Sequence, residues 1–304
     1  MLSFRRGVVR VVVGAAVVTS ASFGTGAVAG AAPLSSCGQA RQEVAIRSSV
    51  PLLDWSENFG VDAQGALWVS RLMRGEVQRY DRDGRLTATV AVPSPGAVRL
   101  GPDGLLYVVT GNSWLAGSGG IVRFDPAAAN PTPAVFASGF PHPNGAAFDA
   151  DGNLYVTTGN GVHRLRRDGS EDMDWWAKVR VEGANGVAVS GDSVFVTANF
   201  AGENGPVGRV LRLSRTDPAD ATTVTDLTSF GSLPDFVDDL VIRGGALYVT
   251  TLAGHLVRVN PTTGAACTVV STQSLTAVVA DPADPSALLA GSEEGTVLRI
   301  RPIG

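Results

Sequence analysis

The stretch His142–Thr158, HPNGAAFDADGNLYVTT, decides how the chain is read. It opens on Asn-Gly, runs through a short apolar segment, turns at Asp151-Gly152 and climbs again through Leu154-Tyr155-Val156-Thr157. Asp-Gly between two β-rich runs is hairpin chemistry, because both residues tolerate the backbone a tight turn needs. Similar wording returns five times: SENFGVDAQGALWVS from Ser56, SPGAVRLGPDGLLYVVT from Ser94, GANGVAVSGDSVFVT from Gly183, VDDLVIRGGALYVT from Val237 and SLTAVVADPADPSALLAG from Ser274. After each copy comes an alternating strand with one arginine: Arg79, Arg123, Arg164, Arg212, Arg258 and Arg299, spaced 44, 41, 48, 46 and 41 residues apart.

A period of that length with four short strands per unit, lettered A to D, predicts an all-β, six-bladed β-propeller. In the third unit strand A is Gly145–Phe148, B is Leu154–Thr157 and C is Val162–Leu165, with D expected around Trp175-Trp176. The last unit ends after its C strand, Val297–Ile300, and lacks a D strand. The segment Glu43–Arg47, ahead of the first unit, is spare and strand-like. It is expected to pair with the last blade and close the ring, since a propeller must remove its free edges. Cys37 then lies beside that outer strand and Cys267 in the outer strand of the preceding blade. A Cys37–Cys267 disulfide is expected.

Composition agrees. Of 304 residues, 44% are hydrophobic, only 17% are charged and 37 are glycine, which suits short strands and tight turns. Residues 1–32 read as a leader: Arg5, Arg6 and Arg10, an apolar run Val8–Val18, then small residues with Ala27-Val28-Ala29 and Ala29-Gly30-Ala31 as cleavage candidates. Arg5-Arg6 hints at a twin-arginine route; an uncleaved anchor is the alternative. Residues 33–304 form the single propeller domain. Removing the leader takes three arginines and no acids, so the net charge goes from −4 to −7. An acidic exported protein is a poor fit for nucleic acid, and no membrane attachment is expected after cleavage. Two cysteines and three histidines do not make a zinc cluster.

Aligned on their turns, the six A strands begin with Glu57, Gly96, Asn144, Asn185, Asp238 and Thr276. A strands line the central channel, so this slot converges at its mouth. Two carboxylates and two amide oxygens at one depth form a hard oxygen site, suited to Ca2+, with Mg2+, Mn2+ and Zn2+ behind it. The bland reading of each Asn-Gly is a turn; four such residues in one slot favour a metal site. The same residues resemble the SMP-30/gluconolactonase/regucalcin family of six-bladed propellers, with a more distant likeness to paraoxonases. The resemblance is carried by Glu57 in SENFGVD, Asn144 in PNGAAFDADGNLYVT, Asn185 in ANGVAVS and Asp238 in VDDLVI, and spans the mature chain.

It implies one divalent cation held by Glu57, Asn144, Asn185 and Asp238 beside a small-molecule lactone or ester, with Asp238 as ligand and base. His142 stands where the gluconolactonases carry a sugar-holding arginine, so a sugar-acid substrate is not implied; it is a second catalytic candidate as a base, with a substrate contact or a plain turn histidine as the alternatives. Asp239 is expected to point away from Asp238. D–A and B–C loops share one face, so Asn112, Trp114, Phe200 and Asn204 are expected to wall the pocket. Gly191-Asp192-Ser193 falls in an A–B turn and is not a nucleophile site. A monomeric, secreted, metal-dependent lactonase or esterase is the leading expectation. A non-catalytic binding propeller and a strictosidine-synthase-like or streptogramin-lyase-like enzyme are the alternatives.

Overall fold

A computed structural model of the chain describes residues 34–113, 115–200, 206–227 and 235–303. The leader expected at 1–32 lies outside them. Blade 1 is built from Ser56–Val61, Leu67–Arg71, Glu76–Tyr80 and Leu86–Ala91; blade 2 from Val98–Leu100, Leu106–Thr110, Gly119–Phe124 and Ala134–Phe140. Blade 3 has Ala146–Phe148, Leu154–Thr158 and Gly161–Leu165; blade 4 has Ala184–Ser190, Ser193–Phe200, Pro206–Ser214 and Thr222–Asp226. Blade 5 has Val237–Arg243, Ala246–Thr251, His255–Val259 and Ala266–Ser271. Blade 6 has Leu275–Ala280, Leu288–Ser292 and Val297–Ile303, completed by Gln39–Ile46. Each A strand touches the A strand of the next blade, from blade 1 round to blade 6 and back to blade 1. The protein is a six-bladed β-propeller.

The alternation that makes each strand also decides where the core sits. Side chains on one face of a blade meet the opposite face of the next, so the apolar core is divided among the blade interfaces. Trp68 and Val77 pack on Val98 and Leu106 between blades 1 and 2; Tyr107 and Val109 pack on Leu154 between blades 2 and 3. Tyr155 meets Val187 and Val194, Phe195 meets Leu240 and Leu247, and Leu256 meets Leu288 and Ala290. Phe59 and Leu67 meet Ala277 and Leu289 where blade 6 returns to blade 1. Two of the repeated C-strand arginines brace their own blades: Arg79 Nε donates to Asp62 Oδ2 at 3.0 Å, and Arg299 likewise pairs with Asp281, each acid lying in an A–B turn.

Closure follows the expected route with a longer strand. Gln39–Ile46 runs antiparallel to Val297–Ile303, pairing Gln39 with Ile303 and Glu43 with Arg299. Glu43 accepts from Arg301 at 2.9 Å. Upstream, Cys37 N–H donates to the Thr268 carbonyl at 2.9 Å, and Cys37 is disulfide-bonded to Cys267. The clasp therefore grips both blade 6 and the outer strand of blade 5.

Blade 3 departs from expectation. Residues around Trp175-Trp176 form a short helix, Met173–Trp176, and not a D strand. Asp172 caps it, accepting from Trp175 N–H at 3.3 Å and pairing with Arg164. The adjacent indoles then separate. Trp175 is buried edge-on against Tyr155 and donates to the Arg215 carbonyl of blade 4 at 3.0 Å. Trp176 lies flat on His163, ring centroids 3.9 Å apart. The two partners lie on opposite faces of the blade, since Tyr155 sits opposite Arg164 and Val156 opposite His163, and the helix delivers one indole to each face.

The clasp yields a test. Loop-closure entropy for a crosslink separated by 230 residues is worth about 5 kcal/mol at the upper end. The double variant Cys37→Ser, Cys267→Ser is expected to keep the fold and lose a large part of that in chemical denaturation. An unchanged midpoint would assign closure to strand pairing alone.

Candidate metal centre and pocket

Four of the six slot residues are turned to the channel by a device absent from ordinary strands. A β-bulge interrupts the A strand at Ser56/Asn58, Ala184/Val187, Val237/Leu240 and Leu275/Ala277, at the positions of Glu57, Asn185, Asp238 and Thr276. A bulge leaves an unpaired residue and bends the strand. Carbonyls at or beside the slot, bulged or not, turn to the neighbouring blade. Ser70 Oγ donates to the Gly96 carbonyl at 2.5 Å and Ala97 N–H to the Asn144 carbonyl at 2.9 Å. Gly145 N–H and Thr157 Oγ1 both donate to the Asn185 carbonyl. Thr197 Oγ1 donates to the Asp238 carbonyl at 2.5 Å and Thr276 Oγ1 to the Ser56 carbonyl at 2.6 Å.

The glycine of each Asn-Gly serves this contact. A Cβ on Gly145 would meet the Asn185 carbonyl oxygen at 2.4 Å, and one on Gly186 the Asp238 carbonyl oxygen at 2.7 Å. Asn-Gly here marks a close approach between blades.

Glu57, Asn144, Asn185 and Asp238 line one pocket of about 510 Å³ at the channel mouth. Glu57 is buried; Trp55 Nε1 donates to its Oε2 at 2.7 Å, and Asn112 Nδ2 to its Oε1 at 2.6 Å. Asn144 Nδ2 approaches the same Oε1 at 3.3 Å. Burial still pushes the Glu57 carboxyl above its ordinary value, outweighing those donors. Asp238 is pushed well above the ordinary range, first by burial, then by the charges of Glu57, Asp239 and Glu293. Its hydrogen bond from Asn185 opposes this.

Asn185 Oδ1 is buried with no hydrogen-bond partner. Such an orphaned acceptor costs about 1–3 kcal/mol. An unpaired amide oxygen beside two buried carboxyls that resist ionisation is what a hard cation would relieve, so the donor set fits a divalent metal. Among the described residues no three His, Cys, Asp or Glu side chains gather as a metal cluster; the site depends on its amides.

His142 also lines the pocket, at the end of the D–A loop of blade 3. Its backbone is left-handed, φ 46°, and its Nδ1 lies 2.9 Å from the Ser113 carbonyl. A carbonyl only accepts, so Nδ1 carries the proton there. Asn112 and Phe200 line the pocket; Trp114 and Asn204 lie outside the described residues.

Sequence reasoning missed Trp55, which steadies Glu57, and Glu293, a third carboxyl on the wall. Glu293 lies in a B–C turn, where the repeat gives no register.

Asp239 turns down the channel, away from the mouth. Its Oδ2 accepts from Val278 N–H at 3.2 Å, and its other oxygen lies 3.7 Å from Arg99. Arg99 donates to Asn58 Oδ1 and to the Phe59 carbonyl, both at 2.7 Å. This ion pair crosses the channel below the site.

No protein-family model and no curated protein matches the chain. Solved structures do. A gluconolactonase from Xanthomonas campestris superposes with a TM-score of 0.62 at 18% identity, covering 88% of this chain and 96% of its own. The calcium-binding regucalcin from Agrobacterium tumefaciens gives 0.60 at 16%, covering 84% and 93%. A PQQ-bound aldose sugar dehydrogenase from Streptomyces coelicolor gives 0.62 at 16%, covering 87% and 98%. The first two agree with the resemblance carried by Glu57, Asn144, Asn185 and Asp238. At these identities the likeness establishes the propeller, and one scaffold hosts several chemistries.

The buried carboxyls predict a pH signature. Glu57 and Asp238 have folded-state values above their unfolded ones, so the cation-free fold binds more protons than the unfolded chain. Their contribution is intact at acid pH and is lost as pH rises from the ordinary carboxylate range through the raised values. Asp54 and Asp172 act oppositely: burial pushes them up but is outweighed by hydrogen bonds and arginines, and they end lowered. The comparison must therefore be with Asp238→Asn. In chelator, wild type should lose more thermal stability than the variant between about pH 4 and pH 7, and calcium should close the difference. Parallel melting profiles would remove the buried-charge reading.

Proposed function

We propose that the protein is an exported, metal-dependent hydrolase that opens a lactone or ester at one divalent cation, best matched by calcium, in the channel mouth. The observation that carries this is convergence: Glu57, Asn144, Asn185 and Asp238 arrive from four different blades on one pocket. There the Asn185 amide oxygen has no partner and two buried carboxyls have no cationic one. The calcium-binding regucalcin and the gluconolactonase among the structural neighbours support the same reading.

These four residues would hold the cation. When bound, it supplies Lewis-acid polarisation of the acyl carbonyl and stabilises the developing oxyanion. The rest is the chain's own work. Trp55 and Asn112 fix both oxygens of Glu57, so its carboxyl cannot swing. The Ser113 carbonyl holds the proton on His142 Nδ1, which makes Nε2 the basic nitrogen that takes a proton from the attacking water. Asp238, whose carboxyl also faces the pocket, is the second proton-accepting group. The Arg99–Asp239 pair below the site separates it from the far end of the channel.

Calorimetry with calcium and manganese, beside turnover of a panel of lactones and aryl esters with and without chelator, tests this. Wild type should bind one ion and lose turnover in chelator. Asp238→Ala should weaken binding about tenfold or more and lower turnover about a hundredfold, with its melting midpoint retained in calcium. Asn185→Asp should keep the ion and change the rate. Wild type that binds neither ion would defeat the reading; tight ion binding with no turnover would favour a binding propeller.

A further inference from the structure

The pocket wall brings together three carboxyls, Glu57, Asp238 and Glu293, and no lysine or arginine among its described residues. Around that acidic floor the rim is apolar. Met73 and Leu115 stand 55% and 98% exposed on the B–C connections of blades 1 and 2, and Phe200 49% exposed at the end of the B strand of blade 4. Trp55, Leu72 and Leu252 continue the wall inward. Exposed large apolar side chains gathered about one opening, with carboxyls, amides and one imidazole beneath, describe the ligand in negative.

Glu293 is held there by construction. It sits in the turn between Ser292 and Gly295, closed by Gly295 N–H on the Ser292 carbonyl at 2.9 Å. Gly295 is left-handed, φ 89°, and a Cβ there would meet Asp54 at 2.4 Å. Its carbonyl accepts from the buried Arg71 guanidinium at 2.8 Å and from Ser56 Oγ at 3.1 Å. Arg71 in turn donates to the Asp54 carbonyl and to Gln78. The turn of blade 6 is thus bolted to blade 1, and Glu293 is carried on a rigid mount at the pocket edge.

We infer that the pocket selects uncharged or cationic substrates with an apolar body, and that Glu293 sets this choice by repelling anions. A divalent cation matched by Glu57 and Asp238 leaves the Glu293 charge uncompensated. No guanidinium or ammonium on the described wall could grasp a carboxylate or phosphate on the substrate. The apolar rim receives a hydrophobic acyl or leaving group. Hydrolysis adds water across the acyl C–O bond and leaves an alcohol, a carboxylate and a proton; the same repulsion then favours departure of the carboxylate. The reaction in this inference rests on the hydrolase reading, but the order of binding does not.

The test uses three aryl esters of one shape whose ring carries a neutral, an ammonium or a carboxylate group. Binding is read by quenching of tryptophan fluorescence, since Trp55 lines the pocket, and turnover is read separately. Wild type loaded with calcium should bind the neutral and ammonium esters at least about tenfold more tightly than the carboxylate one. Glu293→Gln should shrink that gap severalfold by tightening the anion, and Glu293→Asp should keep it. A carboxylate ester that binds wild type as tightly as the neutral one, or a gap unchanged in Glu293→Gln, overturns the inference. The predicted binding order with no turnover of any ester would sink the hydrolase reading and leave the selectivity standing.

Discussion

The structure depends on one repeated contact: the backbone carbonyl of an A-strand slot residue taken up by the blade before it. Ser70, Ala97, Thr157 and Thr197 each reach forward to the slot of the next blade, and Thr276 reaches across the seam to Ser56. These bonds are buried, where an unmade one would cost about 1–3 kcal/mol. They therefore fix the height of each A strand against its neighbour. The apolar clusters between blades hold the ring together but are non-directional. The carbonyl contacts supply register, and register brings side chains from four blades to one depth.

The bulge has a second consequence. Backbone pairing is surrendered at the slot so that side chains can face the channel, and the channel then holds Glu57, Asp238 and Asp239 close together. Arg99 answers Asp239 at 3.7 Å, and burial pushes that guanidinium down while raising the carboxyl. Glu57 and Asp238 have only amides and an indole around them, and neutral donors do not compensate two buried charges. The lower half of the channel is internally balanced and the upper half is not. That imbalance, more than any one residue, underlies the proposal of a cation at the mouth.

Much of this was legible because the chain repeats itself. Six copies of a turn place six slots in register on paper, so Glu57, Asn144, Asn185 and Asp238 could be read as neighbours without coordinates. The missing last strand announced the clasp, though Gln39–Ile46 runs four residues further upstream than the alternation around Glu43–Arg47 suggested. What failed has a common cause. Asp172-Met173-Asp174-Trp175-Trp176 is apolar enough for an outer strand, but the Asp172 carboxylate caps Trp175 N–H and the segment turns as a helix. Glu293, Arg71 and the bond from Asn112 to Glu57 sit in or beside B–C connections, which vary in length between units and offer no alignment. The bulges change neither length nor composition and leave no mark in the pattern.

The D–A loops show where the fold accepts strain. Two residues before the slot, Ser94, His142 and Gly183 have φ of 42°, 46° and 61°. Glycine is the residue that adopts this conformation at little cost, and blade 4 uses it. Blades 2 and 3 place a side chain there, each followed by proline, which further restricts the preceding backbone. A non-glycine residue held left-handed costs on the order of 1 kcal/mol or more and persists only when its surroundings require it. For His142 those surroundings are visible: the ring leaves the loop to meet the Ser113 carbonyl and enters the pocket wall. Glycine would satisfy the loop geometry, as it does in blade 4, but would remove the imidazole. The left-handed bend thus belongs to the loop, recurring in three blades, and in blade 3 the residue that bears its cost is the one whose ring reaches the pocket.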